Sequence, residues 1–414
     1  MQKPINNSLW TFGFFRLLIL ILFVYNGVAI LNSTFSVYIV EKFNGTAINV
    51  SVASSAMIIS SMLFRPFAGF LIDRLGRRTT LLVSLGVTAL ISLAYLLPRD
   101  ILGLTLLRGL MGLPFAMNTA GVATLRTDLI PDDKKVEGFS VTTIAIMLSA
   151  LVIGPNLGFL ILKLRGFSLL FPVAAGLLVT AIGNLLLLKF EDIKTDKNHF
   201  APREVFEPRA MWFALVMGVL FIGWPGVLTY SPLYSQEIGM DFGGSFFLAF
   251  GVGLILAQLI TKIILGESKS IFFTAIAIVL VILGHSIIGL TRNPAGLLIG
   301  AVVIGAGYGI SFSIFTKLAF DLVVPERRGR CSGTLYISED LGATIGIYAY
   351  SFIAGATGTF ANAYLMAAGI SLISFAILVF IALPDYIKKF ARIMMSKIRT
   401  IVIILLLTKQ EGYF

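Results

Sequence analysis

Apolar residues run along this chain in long, nearly continuous stretches separated by short polar ones. A helix crossing a bilayer needs about 20 largely apolar residues. Dividing the pattern on that scale gives twelve segments: 16–40, 49–72, 79–97, 101–125, 138–162, 167–190, 209–234, 244–265, 271–290, 296–319, 332–357 and 360–383. A barrel strand would instead alternate over about 10 residues. Continuous runs therefore predict helices, which satisfy their own backbone polar groups in lipid.

The stretch 191–208 is charged and rich in helix breakers, and it divides six segments from six. The predicted organisation is an N-terminal six-helix bundle over 1–190, a cytoplasmic linker over 191–208, a C-terminal six-helix bundle over 209–383 and a basic amphipathic tail over 384–414. An internal echo supports a duplication. D-L-I-P from Asp128, followed by charges and Gly138, recurs as D-L-V-V-P from Asp321, followed by charges and Gly333. Residues 1–10 are polar and lack a cleavable signal layout, so the first segment is expected to be retained.

Composition sets the solvent. With 57% hydrophobic and 13% charged residues, and a mean hydropathy of +0.94, the chain fits an all-α integral membrane protein and not a soluble globule. The net charge of +11 is unevenly placed, which argues against nucleic acid as a partner. Lys42, Arg99, Lys163, Arg165 and Arg292 fall in loops on one side. Arg74, Arg77, Arg78, Lys134, Lys135, Lys194, Lys197, Arg203, Arg327, Arg328 and Arg330 fall on the other. The positive-inside rule then puts both termini in the cytoplasm of a cell carrying this protein in its plasma membrane. In the tail, Lys388, Lys389, Arg392, Lys397 and Arg399 alternate with Ile and Met, as in a helix lying on anionic lipid.

The lone Cys331 excludes an intramolecular disulfide, and the two histidines leave little scope for zinc. The absence of G-x-x-x-x-G-K-[ST] argues against ATP as the energy source. Neither a metal nor a cofactor is expected.

Between the second and third segments stands G-F-L-I-D-R-L-G-R-R, Gly69 to Arg78. Gly69, Leu71, Asp73, Arg74, Gly76, Arg77 and Arg78 fill every fixed position of G-x-L-x-D-R-x-G-R-R, and the loop resembles the helix 2 to 3 signature of the major facilitator superfamily (MFS). The resemblance implies twelve helices in two pseudo-symmetric six-helix bundles, with the loop set against the start of helix 11 as a conformational latch. By the same resemblance Asp73, Arg77 and Asp128 form that latch. In residue terms, the glycines permit a sharp turn and close approach, and Asp73 can accept from Arg77.

Two further stretches resemble signatures of the same family. L-R-G-L-M-G in the fourth segment puts Arg108 about 10 Å inside the membrane boundary, a depth at which it should face the bundle interior and have a partner. The family links this arginine to proton coupling or substrate binding; Met111 replaces the usual glutamine. In the fifth segment, Gly154, Pro155 and Gly158 match the G-P-x-x-G associated with exporters and antiporters, with Ala150 in place of a preceding glycine. Small residues at this spacing let helices pack closely, and Gly251 and Gly253 are the expected facing surface.

Glu339 and Asp340 stand adjacent in the eleventh segment, about 12 Å from its start, and Arg65 lies about 12 Å in from Asp73 in the second. Since helices 2 and 11 meet between the halves in the MFS fold, an Arg65 pair with Asp340 or Glu339 is expected there, and one of the acids is a candidate proton carrier. By fold analogy the cavity is lined by Tyr25, Asn26, Asn32, Asn118, Trp224, Tyr230, Tyr308 and Ser311, a set suited to an amphipathic or aromatic solute. His285 lies outside that lining and is expected to be a hydrogen-bonded packing residue.

The resulting expectation is a monomeric secondary active transporter, not an enzyme, that exchanges a small amphipathic substrate for protons across the lipid bilayer, in the direction of efflux. Uptake of a sugar, organic acid or amino-acid-like solute by proton symport is the alternative, and a membrane sensor or enzyme is the alternative of another class.

Overall fold

Short polar side chains start several of the helices. Thr11 accepts from the Phe14 amide at 3.2 Å, Asp100 from Gly103 at 2.8 Å, Asn293 from Gly296 at 2.8 Å and Thr359 from Ala361 at 3.1 Å. Each satisfies an amide that the helix itself leaves unpaired. The structure, a computed structural model, describes residues 8–190, 206–240, 242–264, 270–324 and 327–390.

The first half holds α1 (Phe12–Phe43), α2 (Ala47–Leu75), α3 (Arg77–Ala94), α4 (Ile101–Leu129), α5 (Lys135–Leu148), α6 (Gly154–Arg165) and α7 (Phe167–Leu187). The second holds α8 (Met211–Phe221), α9 (Pro225–Leu228), α10 (Ser231–Glu237), α11 (Gly244–Ile264), α12 (Ser270–Thr291), α13 (Pro294–Asp321), α14 (Arg328–Thr357) and α15 (Phe360–Ile377). Among the described residues, ten helices are long and apolar enough to cross a membrane. That is compatible with twelve segments, α11 and the more polar α14 completing the order. The protein is a multi-pass membrane protein. Most of the linker (191–205), the tail from 391 onward and residues 265–269 lie outside the described residues.

Packing partners recur between the halves. α2 lies on α4 as α11 lies on α13, α3 on α7 as α12 on α15, and α1 on α7 as α8 on α15. Glycines set the close approaches. A Cβ on Gly112 of α4 would meet Ser60 Oγ, the Met57 carbonyl and the Ser61 amide of α2, and one on Gly253 of α11 would meet the backbone of Val302 and Ala306 in α13. Small contact residues let helices gain dispersion contacts in a solvent that gives no hydrophobic drive between them.

The fifth span passes through a π turn at Ser149–Ile153 between α5 and α6. Pro155 has no N–H for the Leu151 carbonyl and its ring crowds that turn, so the helix widens by one residue. The last span widens in the same way at Leu378–Ala382, ahead of Pro384.

The seventh span departs from expectation. It was expected as one helix over 209–234, and it is instead broken into α8, α9 and α10, ending at Glu237. Pro225 and Pro232 open the two short helices. Carbonyls of the interrupted stretch also accept from other helices: Tyr308 donates to Leu220 at 3.1 Å, Tyr350 to Gly223 at 3.4 Å and Tyr364 to Gly226 at 2.6 Å. His285 Nε2 also lies 3.4 Å from the Gly223 carbonyl. Irregular backbone at membrane depth is tolerated where protein satisfies it.

Candidate functional site

The loops rich in arginine define a basic side of the molecule, and the ends of α1, α6 and α10 define the far side. Across the junction between the halves, α2 packs on α14, α6 and the π turn pack on α11, and α1 packs on α10. Since α6, the π turn and α10 all belong to the far side, this arrangement is closed there. Neutral groups contribute to the closure. Ser51 Oγ is 2.9 Å from Tyr230 Oη, and both hydroxyls lie within hydrogen-bond distance of the Ile347 carbonyl, at 3.2 and 2.9 Å. Ser55 Oγ is 2.8 Å from Tyr348 Oη, and Phe159 stacks with Phe247 at 6.1 Å between centroids.

Nearer the basic side the junction carries charge. Arg65 Nη2 of α2 lies 2.9 Å from Asp340 Oδ2 of α14, and Arg65 Nε donates to the same oxygen at 3.0 Å. The arginine also sits over the Tyr336 ring at 5.5 Å. Glu339 is part-exposed beside Asp340 and forms no ion pair or hydrogen bond among the described residues. Tyr25 of α1 lies within electrostatic reach of Arg126, Tyr336 and Arg65. These groups draw α1, α2, α4 and α14 to one region.

The arginine-rich loop is reduced to one residue, Gly76, which ends α2 and starts α3 at φ +90°. A side chain is strained at that angle, so glycine makes the turn possible. Arg77 Nε donates to Asp128 Oδ2 at 3.0 Å, tying α3 to the end of α4. Arg78 donates to the Leu188 carbonyl at 2.7 Å and covers the Phe190 ring at 4.9 Å, a favourable place for a cation beyond a helix C-terminus. Arg74 is exposed, Asp73 is half-buried, and a Cβ on Gly69 would meet nothing within 4 Å.

Arg108 faces the interior, 4% exposed. Its Nη2 donates to Asn32 Oδ1 at 2.8 Å and its guanidinium lies 4.0 Å over the Phe35 ring. Both partners are neutral, and among the described residues Nε and Nη1 have no hydrogen-bond partner. A buried cation held by one amide and one ring is only half compensated.

The facing surface expected for the fifth-span signature is corrected. A Cβ on Gly154 would meet Ala29 and the Asn26 carbonyl, and one on Gly158 would meet Thr34 and Ile30. The signature therefore packs on α1 within its own half. Pro155 is buried beside these glycines. Gly251 instead meets Val152 across the junction, and Gly253 meets α13. Rotational phase about the helix axis decided this, and spacing alone does not carry it.

The expected cavity lining divides. Tyr25, Asn32 and Trp224 are part-exposed. Asn26 is buried and donates to the Leu22 carbonyl at 2.7 Å, with its Oδ1 left without a donor. Asn118 is corrected to a core polar group: it accepts from Ser84 at 2.6 Å and donates to Thr88 at 3.0 Å, facing α3. Tyr230, Tyr308 and Ser311 are likewise fully buried, the tyrosines donating to backbone and Ser311 to the Gly307 carbonyl at 2.8 Å. Trp224 packs edge-on to Tyr308 at 4.9 Å and stacks with Phe221 at 5.3 Å. His285 is buried, with Nδ1 2.9 Å from the Val281 carbonyl.

Several residues escaped sequence reasoning. Arg126 donates to Thr142 at 2.8 Å and Thr143 at 2.7 Å, joining α4 to α5. Its position two residues before Asp128 was the available signal. Ser51, Ser55, Tyr348, Tyr350 and Tyr364 gave none beyond being hydroxyls in apolar runs. Among the described residues no three His, Cys, Asp or Glu side chains gather as a metal site.

A sequence profile described as Major Facilitator Superfamily matches residues 17–347. The quinolone resistance protein NorA of Staphylococcus aureus is 25% identical over 138 residues, which is 33% of this chain and 35% of that protein. Multidrug resistance protein 1 of Bacillus subtilis (strain 168) is 24% identical over 207 residues, covering 48% of this chain and 51% of that protein. The match thus spans about a third to a half of the length of these relatives. Among solved structures, the nucleoside transporter NupG superposes with a TM-score of 0.70 at 15% identity, covering 89% of this chain and 98% of that one. At that identity the likeness concerns the fold.

Proposed function

The chain belongs to the major facilitator superfamily, and on that premise we propose that it exports a small amphipathic molecule across the plasma membrane by proton-coupled alternating access, as a monomer with both termini in the cytoplasm. Membership in the family supports a transporter of small molecules in preference to an enzyme. The observation that carries the finer reading is the Arg65 to Asp340 ion pair, a contact between opposite charges across the junction between the halves. The basic side is read as cytoplasmic, and the described arrangement as the one closed to the outside.

The chemistry follows from the cost of charge at membrane depth. While Asp340 is ionised it holds Arg65 and keeps α2 on α14. A proton taken up by Asp340, directly or from Glu339 next to it, removes the negative partner and leaves Arg65 to seek water or substrate. Protonation lets the halves part at this level, release of the proton toward the cytoplasm restores the carboxylate and its hold on Arg65, and substrate moves the other way. The latch role of Asp73, Arg77 and Asp128 is retained as part of this reading, with Gly69, Arg74, Gly76 and Arg78 shaping the loop. Arg108 and Asn32 with Tyr25, Asn26 and Trp224 form the substrate-facing set. The names of the two relatives, which describe resistance to quinolones and to multiple drugs, support efflux of drug-like compounds.

The test is flux in proteoliposomes after a pH jump, with a panel of fluorescent amphipathic amines and acids. Substrate should move against the proton, and the E339Q/D340N double variant should abolish the proton dependence. Movement in the same direction as the proton would replace export with symport, and proton-independent flux in the wild type would remove the coupling role of the acids.

A further inference from the structure

A cavity of about 320 Å³ opens on the far side, directly over the closed junction and separate from the charged region around Arg65. Its floor is apolar: Phe159 and Leu162 of α6, Phe167 of α7, Pro232 of α10 and Phe242 ahead of α11. Its rim carries Glu41, Lys163 and Gln236, all exposed. Gln236 Nε2 donates to Glu41 Oε1 at 3.3 Å, so a polar bond between the halves crosses the rim itself. A carboxylate has further acceptor capacity, and the amide oxygen of Gln236 remains an acceptor.

We propose that this outer crevice is a second ligand site, for a small zwitterion with a bulky apolar body such as a hydrophobic dipeptide, and that its occupation clamps the halves closed on the outside. An ammonium group fits between Glu41 of α1 and the Gln236 carbonyl of α10, one acceptor from each half. A carboxylate fits Lys163, which forms no ion pair among the described residues. The apolar body lies on aromatic rings from both halves, Phe159 and Phe167 on one side and Phe242 on the other. The size is at the lower end of small-molecule pockets.

The clamp is a matter of linkage. The site exists only while α6 and α1 stand against α10 and the start of α11, because opening the outer side pulls its two walls apart. A ligand bound to this state alone shifts the population toward it in proportion to its occupancy. It thereby slows transport without entering the central cavity.

This inference uses the alternating-access reading only for the consequence of binding, so the two fail separately. Leucyl-phenylalanine, with its N-acetyl derivative as control, is titrated by calorimetry into the detergent-solubilised full chain. In parallel, spin labels at Lys42→Cys and Thr357→Cys in a Cys331→Ser background report the distance between the outer ends of α1 and α14. The free dipeptide is expected to bind, to narrow the distance distribution to its short component, and to lose about tenfold in affinity in E41Q and again in K163E, while Tyr25→Ala, in the central region, leaves binding unchanged. The acetylated form is expected to bind as weakly as the wild-type dipeptide does to E41Q. Absence of binding, binding indifferent to both rim substitutions, binding lost in Tyr25→Ala, or binding with no change in distance each overturns the proposal. Proton-independent flux in the wild-type protein overturns the coupling mechanism and leaves these measurements untouched.

Discussion

Arg65 and Asp340 approach to 2.9 Å across the junction between the two halves, and both donor bonds from the guanidinium end on one carboxylate oxygen. A two-pronged contact of this kind depends on the arginine's geometry and not only on its charge. Arg65→Lys is therefore expected to reduce transport at least several-fold, and Arg65→Ala to abolish its proton dependence. The exchanged pair R65D/D340R should restore part of what each single change loses. Flux and inter-half distances in spin-labelled protein check this. Additive losses in the exchange would mean that the contact does not couple the halves.

Arg77 and Asp128 form an ion pair that is mostly covered, with side chains 10% and 18% exposed. Removing the arginine leaves a half-buried carboxylate, so Arg77→Ala is expected to cost about 1–3 kcal/mol. The lower melting temperature should be recovered in the R77A/D128A double variant, which removes both charges.

Arg108 offers a contrast between stability and function. Two of its nitrogens lack hydrogen-bond partners among the described residues, so Arg108→Met should hold or raise the melting temperature. Flux in the same variant should fall by at least tenfold if the guanidinium is held in reserve for substrate or proton transfer. A large drop in melting temperature with unchanged specific flux would assign Arg108 to the scaffold.

Gly112 abuts Ser60, Met57 and Ser61 of α2. Gly112→Val is expected to push α4 off α2 and to destabilise the first half by about 1–3 kcal/mol. Thermal unfolding in detergent reads this directly, and Gly69→Ala, whose Cβ would meet nothing within 4 Å, serves as the control.

Tyr364→Phe removes the hydroxyl that donates to the Gly226 carbonyl at 2.6 Å. The carbonyl is then buried without that donor, at a cost of about 1–3 kcal/mol. Melting temperature is the readout, and a change within error would mean that water replaces the hydroxyl.

Much of the fold was legible because a bilayer imposes one length scale on every crossing. α1, α4 and α13 could be read as apolar runs, and Gly76 could be placed at a turn because no other residue accepts its backbone angle. A meeting of Arg65 with Asp340 or Glu339 was legible from matched depths taken together with the family resemblance, which sets helix 2 on helix 11; depth alone did not choose between the two acids. What escaped depends on rotation and on distant partners. Nothing near Gly154 says that it faces Ala29 and not Gly251, since a glycine stripe has no direction until the helix is turned about its axis. Asn118 read as a cavity group because Ser84 and Thr88, its partners, belong to another segment. The break at Trp224 to Pro225 could be suspected from proline, yet the donors that make it tolerable come from Tyr308, Tyr350 and Tyr364, scattered over a later stretch of chain.

Those three hydroxyls bear on how the molecule moves. Each anchors a different carbonyl of the interrupted seventh span, and they arrive from α13, α14 and α15. Bending at the interruption would strip several buried bonds at once, so the gap between α8 and α10 is a splinted fracture and not a joint. The second bundle should then swing as a block, and the flexure that a transport cycle demands must be found along the seam where α2 lies on α14.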